Sequence, residues 1–353
     1  MKARGGNFFE DFRIGQRLEH ATPRTITEGD CALYLALTGA RHAVHCAQPV
    51  ARALGHHTTP ADDLLVFNVA FGKTVPDVSL NAIANLGYAD VRFLAPVYPG
   101  DTLRAASEVI GLRENSNGRS GIVYVRSSAF NQDGREVLTW ARWVMVAKRS
   151  ADSPAPPTVV PMLPREVAPQ ALAVPDFLRG AGAETAAAGG PDLWDDYEPG
   201  ERIDHAAGMT LDDPDHTLAT KLYQNTARVH FDAHLMAATP FGRRLVYGGH
   251  VISVCRALSF DGLENVVAIA AINGGSHTNP TFAGDTLYAR SEVLEKWPLP
   301  GRADLGALRL RLVGMKNLPP AELEASPAAD GKPHPNVVLD LDYTVLMPRR
   351  SPA

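Results

Sequence analysis

The segment Phe9-Glu-Asp-Phe-Arg-Ile-Gly15-Gln-Arg17-Leu-Glu-His20 returns in altered form as Trp194-Asp-Asp-Tyr-Glu-Pro-Gly200-Glu-Arg202-Ile-Asp-His205, with its glycines 185 residues apart. A second segment, Pro96-Val-Tyr-Pro-Gly100-Asp-Thr-Leu103, returns as Pro280-Thr-Phe-Ala-Gly284-Asp-Thr-Leu287, with an offset of 184 at the glycines. Between these segments, His45 and His230 are also 185 residues apart. A nearly constant offset across both halves indicates two structurally related domains.

The two repeats are separated by a change in composition. Residues 150–191 are dense in Pro, Ala and Gly. Proline fixes φ and lacks an N–H donor, so this stretch cannot form a long strand or an unbroken helix. We therefore predict a first domain over 1–149, a linker over 150–191 that crosses a surface with one short helical turn, and a second domain over 192–353.

Each half has the same order of patterns. An apolar-periodic helix comes first, then a loop that carries the histidine, then a helix that is apolar on most sides and so should be buried. Alternating apolar segments separated by turn residues follow, which predicts antiparallel strands. In the first half the buried helix is predicted from Asp63 and the strands begin near Tyr88, Thr102, Gly121 and Val137; in the second half the buried helix is predicted from His250. The fold class is therefore α+β, with a curved antiparallel sheet wrapped around a helix.

Composition excludes several classes of protein. The 353 residues carry 34 Lys and Arg against 39 Asp and Glu, a formal net charge of −5. Without a basic excess, nucleic acid is not expected as a partner. The three cysteines are too few and too irregular for a disulfide scaffold or a zinc site, so no metal is expected. No apolar run approaches the roughly 18 residues of a membrane span, and the first 15 residues lack a signal-peptide core, so we expect a cytoplasmic protein and no membrane partner.

The segment Val91-Arg-Phe-Leu-Ala-Pro-Val-Tyr-Pro-Gly-Asp-Thr-Leu103 resembles the strand–turn–strand signature of MaoC-like hydratases, which adopt the hotdog fold. The stretch Asp62-Asp-Leu-Leu-Val-Phe-Asn-Val-Ala-Phe-Gly-Lys-Thr-Val-Pro-Asp77 looks closest to the mesaconyl-C1-CoA hydratases. The resemblance covers both halves but not the linker, and implies two hotdog domains fused as a pseudo-dimer. It also implies reversible addition of water to an enoyl-CoA, here 2-methylfumaryl-CoA to and from β-methylmalyl-CoA, with no metal or redox cofactor.

The family's motif Gly-Asp-x-Asn-Pro-Leu-His supplies a catalytic Asp and His, and neither half keeps it whole. The first half has Ala40 and His45 at the Asp and His positions, and the second half has Asn225 and His230. The second half departs less, so His230 is the first candidate for acid–base work, with His45 its counterpart. Asn225 cannot be a base, but it can orient the attacking water. Asp232 and Asp63 are alternative proton carriers.

The enolate oxygen needs donors, and the N-terminus of a buried helix offers free N–H groups. The segment that ends Tyr247-Gly-Gly249 resembles the family's lead into the hotdog helix, which places Gly248 and Gly249 beside the thioester oxygen. The matching place in the first half is 61–64, with Asp63 and Leu64 at the helix start.

The diacid substrate adds a free carboxylate, which requires a cation. Arg228 lies two residues before His230 and is the first candidate, and Arg92 in the strand after Val91 is the second.

Two other functions stay open at this point. A carboxylate at a helix start, as at Asp62 and Asp63, is typical of hotdog thioesterases. The loss of the motif Asp in both halves also permits a protein that binds acyl-CoA without catalysis. In each case the partner is an acyl-CoA, and the double-domain chain either stands alone or pairs into a homodimer.

Overall fold

In the computed structural model, residues 5–180, 188–323 and 333–350 are described, and their strands form one antiparallel sheet. The repeated segments begin β1 and β6, as expected from the offset. The ten strands are β1 (Arg17–Thr25), β2 (Ala82–Phe93), β3 (Thr102–Glu114), β4 (Ser120–Phe130), β5 (Glu136–Ala147), β6 (Arg202–Thr210), β7 (Ala268–Ser276), β8 (Thr286–Pro298), β9 (Leu305–Lys316) and β10 (Val337–Pro348).

The strand order is β1-β3-β4-β5-β2-β7-β10-β9-β8-β6, so each half repeats one topology and the two meet through β2 and β7. At this junction Tyr88 pairs with Gly275 and Val91 with Ile272. Pairing β2 with β7 covers an edge that each half would otherwise expose. The predicted α+β class and the edge-to-edge pseudo-dimer are confirmed.

The helices of the described residues lie mainly between the repeats' first and second strands. They are α1 (Glu28–Thr38), α2 (Ala43–Cys46), α3 (Gln48–Ala53), α4 (Asp63–Thr74), α5 (Asp213–Leu222), α6 (Ala233–Ala237), α7 (Gly248–Leu258) and α8 (Pro320–Leu323). Among them, none is long and apolar enough to cross a bilayer.

The two central helices, α4 and α7, are buried along nearly their whole length because apolar residues occupy every side of each helix. They also contact each other. The Asn68 side-chain amide donates to the Ser253 hydroxyl at 3.0 Å and to the Gly249 carbonyl at 3.3 Å. Asn68 and Ser253 are 185 residues apart in sequence, the spacing of the repeat. The helix contact is therefore at the pseudo-twofold axis.

The linker follows the sheet closely. Val159 forms an isolated antiparallel bridge with Leu112, and one 3-10 turn covers Pro169–Ala171. The Val167 N–H donates to the side chain of Asn273 on β7 at 2.9 Å, and Val167 is itself buried. The short turn is as expected, although the linker covers apolar surface as well as crossing it. Residues 181–187 of the linker lie outside the described residues, and the three domain limits stay predictions.

Candidate active site

His230 ends a 3-10 turn, Arg228–His230, between α5 and α6. Its Nδ1 lies 3.0 Å from the Leu245 carbonyl, so Nδ1–H donates and Nε2 keeps its lone pair. Burial disfavours the imidazolium and lowers the pKa of His230 to about 4, although the Leu245 bond acts in the opposite sense. The ring is therefore neutral at pH 7, with Nε2 available to accept a proton.

The start of α7 lies next to this histidine. Tyr247 is the N-cap residue, and no side chain of the described residues caps the first turn. The ring of His277 lies directly on Gly248, since a Cβ there would stand 2.4 Å from His277 Nε2. A Cβ on Gly249 would stand 2.0 Å from Asn68 Oδ1. Neither position has room for a Cβ, so glycine allows the close approach of His277 and Asn68 to the backbone. The uncapped first turn of α7 presents the positive end of the helix dipole.

Aromatic and imidazole rings surround the helix start. The His230 and Tyr247 ring centroids are 5.4 Å apart, and those of Tyr88 and His277 are 5.9 Å apart. The Tyr88 hydroxyl is 3.4 Å from His277 Nε2. Burial, and after it the nearby His230, lowers the pKa of His277 to about 4. In the part of the chain that is described, the buried Tyr247 hydroxyl has no hydrogen-bond partner.

Asn225 is buried on the loop before this turn, and its side-chain oxygen accepts from the Ala227 N–H at 2.9 Å. Burial raises the pKa of the nearby Tyr247 hydroxyl well above its ordinary value, and the Asn225 side chain acts in the opposite sense. Gly72 of α4 allows this loop to pack closely against the helix, because a Cβ at Gly72 would stand 2.1 Å from the Tyr223 carbonyl oxygen. The first half therefore fixes the position of a second-half loop.

Two of the predicted cations lie elsewhere. Arg228 is exposed to solvent, so it does not provide the buried partner expected for a carboxylate. Arg92 follows Val91 and precedes Phe93, which are both buried in the core around α4, and alternation turns Arg92 to the opposite face of the sheet. There its Nε donates to Asp90 at 2.7 Å. Arg92 is thus directed away from the core around α4, and Arg228, although on the same turn as His230, is exposed.

Arg142 on β5 is a buried cation that the sequence analysis did not single out. It is 1% exposed, and its guanidinium lies over the Phe71 ring, 4.0 Å from the centroid. Its Nη2 donates to the Thr74 hydroxyl at 2.7 Å. Alternation along Val137–Val146 was the available signal, because Arg142 has the same parity as the buried Trp140 and Val144 and so faces the core.

The first half repeats the arrangement with one difference. His45 Nδ1 lies 3.3 Å from the Pro60 carbonyl, as His230 does from Leu245. At the start of α4, however, the Asp62 side chain accepts from the Leu64 N–H at 2.9 Å, and Asp63 accepts from the Ile269 N–H at 2.7 Å. Burial raises the pKa of Asp63 to about 6, and the nearby His45 partly offsets this. The Leu64 N–H at this helix start is thus capped by Asp62, while Asp63 binds a backbone N–H of β7.

Asp232, the remaining sequence candidate, caps α6 by accepting from the Leu235 N–H at 2.9 Å. This bond gives Asp232 a structural role as an N-cap. The structure therefore brings together His230, Asn225, Tyr247, Gly248 and Gly249 of the predicted residues, and separates Arg92 from them.

Known proteins of one family match this chain over nearly its whole length. A family model described as mesaconyl-CoA hydratase matches residues 2–318. A β-methylmalyl-CoA dehydratase of Chloroflexus aurantiacus is 58% identical over 349 residues, covering 99% of each chain. A mesaconyl-CoA hydratase of Cereibacter sphaeroides is 54% identical over 351 residues, covering 99% of this chain and 100% of the relative.

The fold has a close match among solved structures. The crystal structure of a putative MaoC domain protein dehydratase from Chloroflexus aurantiacus superimposes with a TM-score of 0.96 at 57% identity, covering 99% of this chain and 100% of the other. The MaoC-like resemblance, carried at first by one strand–turn–strand segment, is confirmed over both halves. The chain belongs to the mesaconyl-CoA hydratase family.

Proposed function

We propose that this chain is a hydro-lyase that interconverts 2-methylfumaryl-CoA (mesaconyl-C1-CoA) and β-methylmalyl-CoA. The names of the two relatives above 50% identity support this substrate pair. The observation that carries the proposal is a neutral histidine with a free Nε2 beside an uncapped helix start, as His230 and α7 provide.

His230 is the acid–base group in this proposal. Nε2 accepts a proton from water while the water oxygen bonds to the β carbon of the enoyl group. The resulting imidazolium then gives its proton to the α carbon, which restores neutral His230 and completes the addition of water. A pKa near 4 makes the imidazolium a strong acid for this second step. The reaction adds water with no electron transfer to or from the substrate, and His230 supplies its acid–base chemistry, so the proposal includes no redox cofactor and no metal.

The thioester oxygen gains negative charge between these two steps. The N–H groups of Gly248 and Gly249 are suited to bind it, because the first turn of α7 has no side-chain cap among the described residues. Asn225 is suited to orient the water, since its oxygen is engaged by Ala227 and its amide nitrogen can donate.

The thioesterase alternative has weaker support from the geometry. The carboxylates that suggested it, Asp62 and Asp63, accept hydrogen bonds from Leu64 and Ile269. A carboxylate held in this way is less available to activate water against the thioester carbonyl. Family membership also favours the hydro-lyase. Cytoplasmic location and pairing of two chains stay predictions.

One assay tests the proposal. The protein is incubated with 2-methylfumaryl-CoA, loss of enoyl absorbance is followed, and free thiol is titrated in the same sample. Loss of absorbance without thiol supports the hydratase. Thiol release would indicate a thioesterase, and tight binding with neither change would indicate a binding protein.

A further inference from the structure

Arg142 is a buried cation without a matching anion. Its side chain is 1% exposed, and no ion pair joins it to an acid in the ranges that the structure describes. Burial lowers the pKa of Arg142 to about 10, which leaves the guanidinium charged at neutral pH. An unpaired charge in a protein interior is strongly unfavourable unless a partner is supplied.

Part of the guanidinium is held by the protein and part is free. Nη2 donates to Thr74 at 2.7 Å and lies 3.4 Å from the Ser79 hydroxyl. Within the described residues, Nε and Nη1 have no hydrogen-bond partner. The Thr74 bond thus positions the group, while N–H donors remain for a ligand.

Two chains of contact lead from Arg142 to the candidate active site, and both begin at Phe71, on which the guanidinium packs. Along the first, the Phe71 ring centroid is 5.9 Å from that of Tyr247, which packs in turn on His230. Along the second, the Phe71 ring centroid is 6.0 Å from that of Tyr88, whose hydroxyl lies 3.4 Å from Nε2 of the His277 ring that covers Gly248. The cation therefore packs against the same ring cluster.

Apart from the acceptor Asn68 Oδ1 beside Gly249, several donors near this cluster lack partners among the described residues. They include Arg142 Nε and Nη1 and the Tyr247 hydroxyl. His230 and His277 are neutral at pH 7, and no carboxylate of the described chain is ion-paired with the guanidinium. A small carboxylate at the end of the acyl chain fits this set of donors better than a phosphate, because CoA phosphates are bulky and the Arg142 guanidinium is almost fully buried.

We propose that Arg142, with the Tyr247 hydroxyl, binds the free carboxylate of the substrate's acyl group and thereby selects a diacid thioester over a monoacid thioester. The inference rests on the proposed hydratase function and adds its specificity determinant. It transfers the role first given to Arg228 to a residue from the other half of the chain. His230 and the helix start of the second half would then act on a substrate whose distal end is held by the first half.

The test uses two thioesters that differ in one group. 2-Methylfumaryl-CoA and 2-methylcrotonyl-CoA share the reacting double bond, but the second has a methyl group where the first has the carboxylate. The wild-type protein should favour the diacid in kcat/KM by about a hundredfold or more, since a site built to pair a polar group rejects an analogue that lacks it. In Arg142→Met the diacid value should fall by at least about a hundredfold, while the monoacid value stays within a few fold.

Two further variants separate recognition from folding. Arg142→Lys keeps the charge but loses the planar guanidinium, and should raise KM for the diacid while leaving the monoacid unchanged. Thr74→Val removes the bond that positions Nη2, and should raise KM for the diacid by less than Arg142→Met does while the monoacid value stays within a few fold. A thermal melt of each variant reports its folded state.

Several outcomes would overturn the inference. A wild-type protein that hydrates both thioesters equally well, or equal losses on both in Arg142→Met, would mean that Arg142 only packs against Phe71. The same holds if Arg142→Lys affects both substrates alike. If the wild type hydrates neither thioester, the proposed function itself fails, which is a different result from unchanged selectivity in an active enzyme.

Discussion

Replacing His230 by Ala is the most direct test of which half is active, because the chain contains its own control. His230 and His45 occupy equivalent places, and each ring donates from Nδ1 to a carbonyl fifteen residues later, at 3.0 Å and 3.3 Å. Removing either ring deletes one hydrogen bond of this kind, at a cost of about 1 kcal/mol in the free energy of unfolding. The two variants should therefore be destabilised to a similar extent.

Their activities should differ sharply. Loss of a general acid–base group lowers turnover by at least about a hundredfold, which corresponds to about 3 kcal/mol of activation free energy. His230→Ala should show this loss. His45→Ala should retain most activity, because the helix start beside His45 is capped by the Asp62 carboxylate, whereas the start of α7 beside His230 has no side-chain cap among the described residues.

The assay is the initial rate of enoyl absorbance loss at saturating 2-methylfumaryl-CoA, measured beside a urea unfolding curve for each variant. Comparable stability with a large rate difference assigns the chemistry to the second half. A larger loss in His45→Ala would place the active site in the first half and refute the argument. Equal losses in both variants would show that the two sites cannot be separated in this way.

Two more results are expected. Gly248→Ala should lower activity and destabilise the fold by about 1–3 kcal/mol, because the new Cβ would stand 2.4 Å from His277 Nε2. Gly29→Ala on α1 is the control. Its new Cβ would have its nearest contact 3.6 Å away, so this variant should not be destabilised. Protonation of His230 removes the base, and since its pKa is lowered to about 4, kcat/KM should stay level from pH 7 to about 5 and fall as the pH drops below about 4. A fall centred near pH 6.5 in the pH–rate profile would contradict this assignment.

The sequence determined the local parts of this protein. The 185-residue offset predicted two like domains, and alternation predicted strands that the structure contains, such as β5. The buried helices were predicted from apolar residues on most sides, and the second was predicted from His250, two residues after the observed start of α7 at Gly248. These features are local because a helix or a strand face is set by residues a few positions apart.

The tertiary structure decided which distant residues share the site. The two halves are joined by the pairing of β2 with β7 and by the contact of α4 with α7. This junction brings Arg142 and Tyr88 of the first half close to the rings around His230. The same strand geometry turned Arg92 to the other face of the sheet, although it lies directly between Val91 and Phe93, which are both buried in the core. The number of residues between two segments does not predict how far apart they lie in space when they meet across a sheet edge. Burial of apolar surface between the halves selects that arrangement, and with it the side chains that lie near His230.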